Sequence, residues 1–281
     1  MINIKNDMIR VRINKKYLLL FLITIVVMCV GCYVMMQEDL KLFTYDQLPQ
    51  LGLKSYYDCQ STGFFPVYFL VSAFIIPNIF SIEVLSERNS TFSKYIKART
   101  GSQHYFKMNT VANIVMTFLF FLMTHVILLG FIACITPISF QYSKDINVMT
   151  SLVNHPFYNL LLYIFLSTLG FTLFSCFIDA MKYFIGNEYI YWGTGLIIGI
   201  LLVILPMIFG DWLYRQTHLL LFYDVFSALD LTTLITPGAG AIGAYAPGMN
   251  SLCLYGFSFA TYFLVTLVLT RVSIKEEYSH G

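Results

Sequence analysis

Six long apolar runs constrain this 281-residue chain more than any other feature. They are Tyr17 to Met36, Phe64 to Ile82, Thr110 to Ile135, Leu160 to Phe177, Tyr191 to Phe209 and Leu252 to Leu269. Each is near or above the roughly 18 to 20 residues that an α-helix needs to cross hydrocarbon. None shows the alternation of a membrane-barrel strand. Hydrocarbon offers the backbone no water, so such segments must satisfy their own N–H and C=O groups as helices. The sequence therefore predicts an all-α, polytopic integral membrane protein: one transmembrane domain over residues 1–281 with six transmembrane helices. Charged residues agree, at 11% of the chain against roughly 25% in a soluble domain. A net charge of +2 gives no support for a nucleic-acid partner.

The first run is too long for a cleaved signal peptide and no small-x-small site follows it. The six cysteines lie mostly inside apolar runs, where they act as small buried hydrophobes. Cys59 reads as the exposed one, and no disulfide framework is expected. Cys29-x-x-Cys32 has a redox or metal spacing, but its place in an apolar run favours packing.

Charge distribution sets the expected topology. With the N-terminus inside, inner segments hold thirteen of the 17 Lys and Arg residues and outer segments hold Lys41, Lys54, Lys144 and Arg215. The excess of positive charge belongs in the cytoplasm, so both termini are expected there, in a cell membrane, with membrane lipid as the surrounding partner. The polar stretch Glu38 to Gly63, the loop Pro137 to Pro156 and residues 210–250 then fall outside.

One inner segment stands out. Residues 86–107, SERNSTFSKYIKARTGSQHYFK, form a polar, basic island. Phe92, Tyr95 and Ile96 fall at i, i+3 and i+4 and share a helix face. Ser90 or Thr91 can cap that helix and Gly101 can end it. An interfacial helix on anionic lipid and a docking surface for a protein partner both fit this pattern.

The run Pro77 to Lys107 resembles the segment after the second span of exporter-type ABC transporter permeases of the second class, also called type V. Glu83, Glu87 and Arg88 stand in that family's acidic turn, with Asn89-Ser90-Thr91 where Gly-Thr is common. Arg99, Tyr105 and Lys107 match its later positions. The remainder is similar to the same family from end to end: an N-terminal connecting helix over 1–16, six spans, and a long outer segment folded as re-entrant helices, here 210–250. The resemblance implies a permease subunit that moves a substrate, by export of an amphipathic or hydrophobic compound such as a peptide. It implies coupling to separate ATP-binding-cassette ATPase subunits through Glu87, Arg88, Thr91, Phe92, Tyr95, Ile96 and Arg99. A second permease subunit, identical or related, would complete the pathway. ATP and Mg would be bound by the partner ATPase and no cofactor by this chain.

Two other classes stay open, an intramembrane enzyme and a stand-alone carrier or channel. The chain has no phosphate loop; Gly238 to Gly248 lacks the required Lys. It has no HExxH motif, and its five histidines are scattered. His125 alone sits deep in a run, where a packed, hydrogen-bonded core histidine is the plainer reading. Asp179, Lys182 and Glu188 read as a solvated turn, with a second ATPase contact as the alternative. Gly195-x-x-x-Gly199 has the spacing of a close helix contact, within the subunit or across a dimer.

Overall fold

The computed structural model describes residues 15–41, 48–61, 65–79, 81–89, 101–136, 138, 140, 152–238 and 250–279. Within them the fold is helical and contains no strand: α1 Lys15–Leu40, α2 Leu48–Ser61, α3 Phe65–Ile79, α4 Ser81–Asn89, α5 Ser102–Ile135, α6 Pro156–Met181, α7 Glu188–Thr217, α8 Leu220–Leu229, α9 Leu231–Ile235 and α10 Ser251–Ser279. The connecting segment 1–14 lies outside the described residues.

Among the described residues, six stretches are long and apolar enough to cross a membrane: Lys15–Gln37, Pro66–Ser86, His104–Ile135, Pro156–Met181, Glu188–Thr217 and Ser251–Ile274. They coincide with the six runs read from sequence, each a little longer. The exterior of α1, α7 and α10 is apolar, with Leu22, Val26, Ile197, Ile208, Leu264 and Val268 exposed, whereas Thr24, Ser72, Asn113, Thr117 and Ser258 are buried. This distribution, polar inside and apolar outside, suits a chain solvated by lipid.

The bundle has two ends, called here near (Lys15, Asn89, Ser102, Met181, Glu188) and far (Leu40, Ile135, Pro156, Thr217, Ser251). Helices α3 and α6 lie at its centre. α6 packs on α3, α5, α9 and α10, and α3 packs on α1, α2, α5 and α7. Phe121 and Phe171 stack at 4.0 Å between α5 and α6. A hydroxyl and amide network, Ser175 Oγ to Asn113 Oδ1 at 3.1 Å and Thr117 Oγ1 with Ser175 Oγ at 3.1 Å, joins the same two helices. Polar contacts of this kind hold helices together where lipid supplies no hydrophobic drive.

Glycine sets one close crossing. A Cβ on Gly195 would collide with the Ala73 carbonyl, and one on Gly199 would press on Phe69. The Gly-x-x-x-Gly spacing thus serves α3–α7 packing inside the subunit.

The stretch Glu38 to Gly63 departs from the expected outer loop. Its second half is α2, and the side chains of 51–60 are buried or nearly so. A Cβ on Gly52 would meet Thr136 and Ile132 at the far end of α5, whereas Tyr56 reaches His125. His125 lies ten residues inside Ile135, or about 15 Å along the helix. α2 therefore descends into the bundle and the chain continues into α3. A polar composition masked this, because the polar atoms are spent on contacts inside the bundle. Cys59 is accordingly buried, and the exposed cysteines are Cys134 and Cys253.

Residues beyond α7 also turn inward. His218, at φ 54°, ends α7, and α8 folds back along it, with Tyr223 Oη on Asp211 Oδ1 at 3.1 Å. Asp230 caps α9 by accepting from Thr232 N at 2.8 Å. α9 is buried throughout. Ile235 O accepts from Ser167 Oγ at 2.6 Å, eleven residues inside the far end of α6, or about 16 Å.

Candidate functional site

Helix α4 is the route from the second span to the basic island. Its residues Ser81, Ile82, Val84 and Leu85 are buried. Ser81 Oγ donates to Asp179 Oδ1 at 2.5 Å, and Lys182 Nζ donates to the same oxygen at 2.7 Å. The pair's side chains are 7% and 1% exposed, Asp179 and Lys182 respectively. The expectation of a solvated turn is thereby corrected for Asp179 and Lys182, whose i, i+3 spacing closes an ion pair from which the bundle excludes water, whereas Phe184, Gly186 and Asn187 beyond them are exposed. The Lys182 ammonium also lies 5.1 Å over the Tyr183 ring. Tyr191 Oη donates to Ile178 O at 3.1 Å and Ser273 Oγ to Ala180 O at 3.2 Å, so α7 and α10 grip the same turn.

The island's other end returns to this place. Gly101, at φ 82°, precedes α5, whose buried Phe106 meets Tyr183 edge-on at 5.7 Å. Entry to and exit from the intervening residues 90–100 are therefore both anchored on residues 179–183. Of the proposed coupling residues, Glu87 and Arg88 belong to the last turn of α4. Thr91, Phe92, Tyr95, Ile96 and Arg99 lie outside the described residues.

A second polar group occupies the far half of the core. Tyr56 Oη and His125 Nδ1 are 2.8 Å apart. Asn159 Nδ2 donates to Tyr57 Oη at 3.0 Å, while its Oδ1 accepts from Leu152 N at 2.7 Å. Tyr57 and Tyr163 rings meet at 5.1 Å. His125 is thus the hydrogen-bonded core histidine that its position suggested. His125 Nε2 and, on the neighbouring ring, Tyr163 Oη are buried without a protein hydrogen-bond partner. Each such atom costs on the order of 1–3 kcal/mol.

Sequence reading missed this group because its members come from three helices far apart in the chain. The usable signal was Tyr56-Tyr57 with Gln60 four residues after Tyr56, which puts a phenol and an amide on one helix face. Among the described residues no group of three or more His, Cys, Asp or Glu could hold a metal ion. Comparison with protein-family models, with curated proteins and with solved structures finds no match.

Proposed function

We propose that the chain is the permease subunit of an ABC transporter. In this reading it exports an amphipathic or hydrophobic compound such as a peptide, using ATP hydrolysed by separate cassette subunits. The near end is cytoplasmic, residues 86–107 are the coupling segment, and a second permease subunit completes the pathway across the cell membrane.

The observation that carries this reading is the common anchorage of α4 and α5 on the turn 179–183. A segment that receives a push from an ATPase must transmit it to the spans. Ser81 on Asp179 and Phe106 on Tyr183 link both flanks of 90–100 to α6, with α7 and α10 joined to the same turn. Motion of the segment would thus reach helices on both sides of the bundle, in the manner of packed elements that move as rigid bodies. The inward course of α8 and α9 supports the re-entrant reading of 210–250.

The test is a Phe92→Ala/Tyr95→Ala double variant. It should insert and fold as the parent does while losing ATP-driven export, because these side chains would lie outside the spans. Normal export by the double variant would sink the docking assignment.

A further inference from the structure

The chain has two tryptophans, Trp192 and Trp212, and α7 carries both. Both are exposed. Twenty residues of helix set them about 30 Å apart along the axis. That is the thickness of the hydrocarbon core, and tryptophan favours its two boundaries. The spacing puts the near boundary at Trp192 and the far one at Trp212.

At the near boundary α7 meets α1. Lys16 Nζ lies 5.6 Å from the centroid of the Trp192 ring, and Lys15 beside it is exposed. Glu188, one turn before Trp192 on the same face of α7, is set against these two lysines. The corner thus keeps an excess of positive charge at the depth where lipid phosphates lie. In sequence Lys5, Arg10 and Arg12 precede it, against the single acid Asp7.

Deeper than this corner the surface is apolar. On α1, Leu19 and Ile23 follow Lys16 at i+3 and i+7, on the same face, and both are exposed. Helix α3 packs on both α1 and α7. Gly195 abuts Ala73 and Gly199 abuts Phe69, so α3 runs antiparallel to α7 and Ala73 sits less than a turn deeper than Trp192. Next to that face, Val67, Leu70 and Phe74 form an exposed stripe at i, i+3 and i+7. Phe74 opens the stripe close to the level of Trp192, and Val67 ends it about 10 Å deeper.

We infer that the corner of Lys15, Lys16 and Trp192 binds an anionic phospholipid. The ammonium groups take its phosphate, the indole covers the glycerol region, and an acyl chain lies along Leu19, Ile23 and the α3 stripe. Phosphatidylcholine offers the same chains, but its own ammonium cancels the phosphate charge. A second copy centred on the corner would bring like charges together. This site goes beyond the transport reading and does not rest on it.

The experiment reconstitutes the full chain in phosphatidylcholine vesicles and reads Trp192 alone, in Trp212→Phe. Fluorescence is quenched with phosphatidylglycerol or phosphatidylcholine brominated on the acyl chains. Brominated phosphatidylglycerol should reach half-maximal quenching at a mole fraction about threefold to tenfold lower, since each basic residue near the surface contributes about fivefold in affinity. Lys15→Gln/Lys16→Gln should abolish the difference, and Lys15→Arg/Lys16→Arg should keep it. Trp212, read alone in Trp192→Phe, is the control: beside it Arg215 and Asp211 pair at 2.8 Å, so both lipids should quench it alike. Equal quenching of Trp192 by the two lipids overturns the proposal, as does a preference that survives loss of both lysine charges. Quenching of Trp212 but not of Trp192 by either lipid means that a protein surface covers the corner, and overturns it as well. No ATPase or transport is read, so failure here leaves the permease reading standing, and failure of that reading leaves the lipid site intact.

Discussion

Removing either partner of the Asp179–Lys182 pair should be far more damaging than removing both. The ammonium and carboxylate are 2.7 Å apart at 1% and 7% side-chain exposure. At an effective dielectric of about 20 their gross attraction is about 6 kcal/mol, most of it offset by the cost of taking both ions out of water. Asp179→Ala takes the carboxylate away from the buried ammonium and strands Ser81 Oγ, so a loss of about 3–5 kcal/mol is expected. Lys182→Met leaves a carboxylate that still accepts from Ser81, which places it at the lower end of that range. The double variant Asp179→Ala/Lys182→Met should come within about 1–2 kcal/mol of the parent, giving a coupling energy of several kcal/mol. Reversible unfolding of the four proteins in mixed micelles measures the cycle. The Arg215–Asp211 pair is an internal control: its 2.8 Å contact is as short, but the side chains are 74% and 38% exposed. Its disruption should cost no more than about 0.5 kcal/mol. If Asp179→Ala costs as little as the control, the pair is hydrated and the anchorage argument fails.

Three further outcomes follow from the packing. Ala at Gly170 would drive its Cβ into the Leu234 carbonyl, and Ala at Gly195 into the Ala73 carbonyl, whereas a Cβ at Gly256 meets nothing within 4 Å. The first two should lose about 3 kcal/mol by the same unfolding assay, and Gly256→Ala should gain about 0.5–1 kcal/mol. Burial pushes the Asp230 carboxyl up to about 7, against the hydrogen bonds from Thr232 that favour its charge. Between pH 4 and 7 the folded chain therefore keeps a proton that the unfolded chain has lost. Stability should fall as pH rises through that window, by at most about 1.4 kcal/mol per unit. Asp230→Asn, which retains a capping side chain, should flatten that slope in melting curves. Maleimide should modify Cys134 and Cys253 in the folded protein but reach Cys32 and Cys59 only on unfolding, read by intact mass.

The six spans were legible because each must cover a fixed thickness with apolar side chains, a demand met residue by residue within one run. Helix α2 was not legible: Ser55, Tyr56, Asp58 and Gln60 look like loop chemistry until His125 and Tyr163 are brought beside Tyr56. The Asp179–Lys182 pair shows the same limit. Its residues read as an acidic and basic cluster on a solvated turn, because their burial depends on Ser81, Tyr191 and Ser273 arriving from three other helices. Gly195 and Gly199 gave a contact whose partner, α3, only the fold identifies. Where a side chain's role is set by its own helix, sequence periodicity sufficed; where it is set by neighbours distant in the chain, it did not.

The central claim is that this chain works with a separate ATPase, and purification from the native host in mild detergent tests it most directly. The account predicts a stoichiometric ATP-binding-cassette protein in the preparation, identified by mass spectrometry, with ATP hydrolysis that Phe92→Ala/Tyr95→Ala uncouples from export. A folded, intact chain that reproducibly purifies with no such protein and no ATPase activity would contradict it.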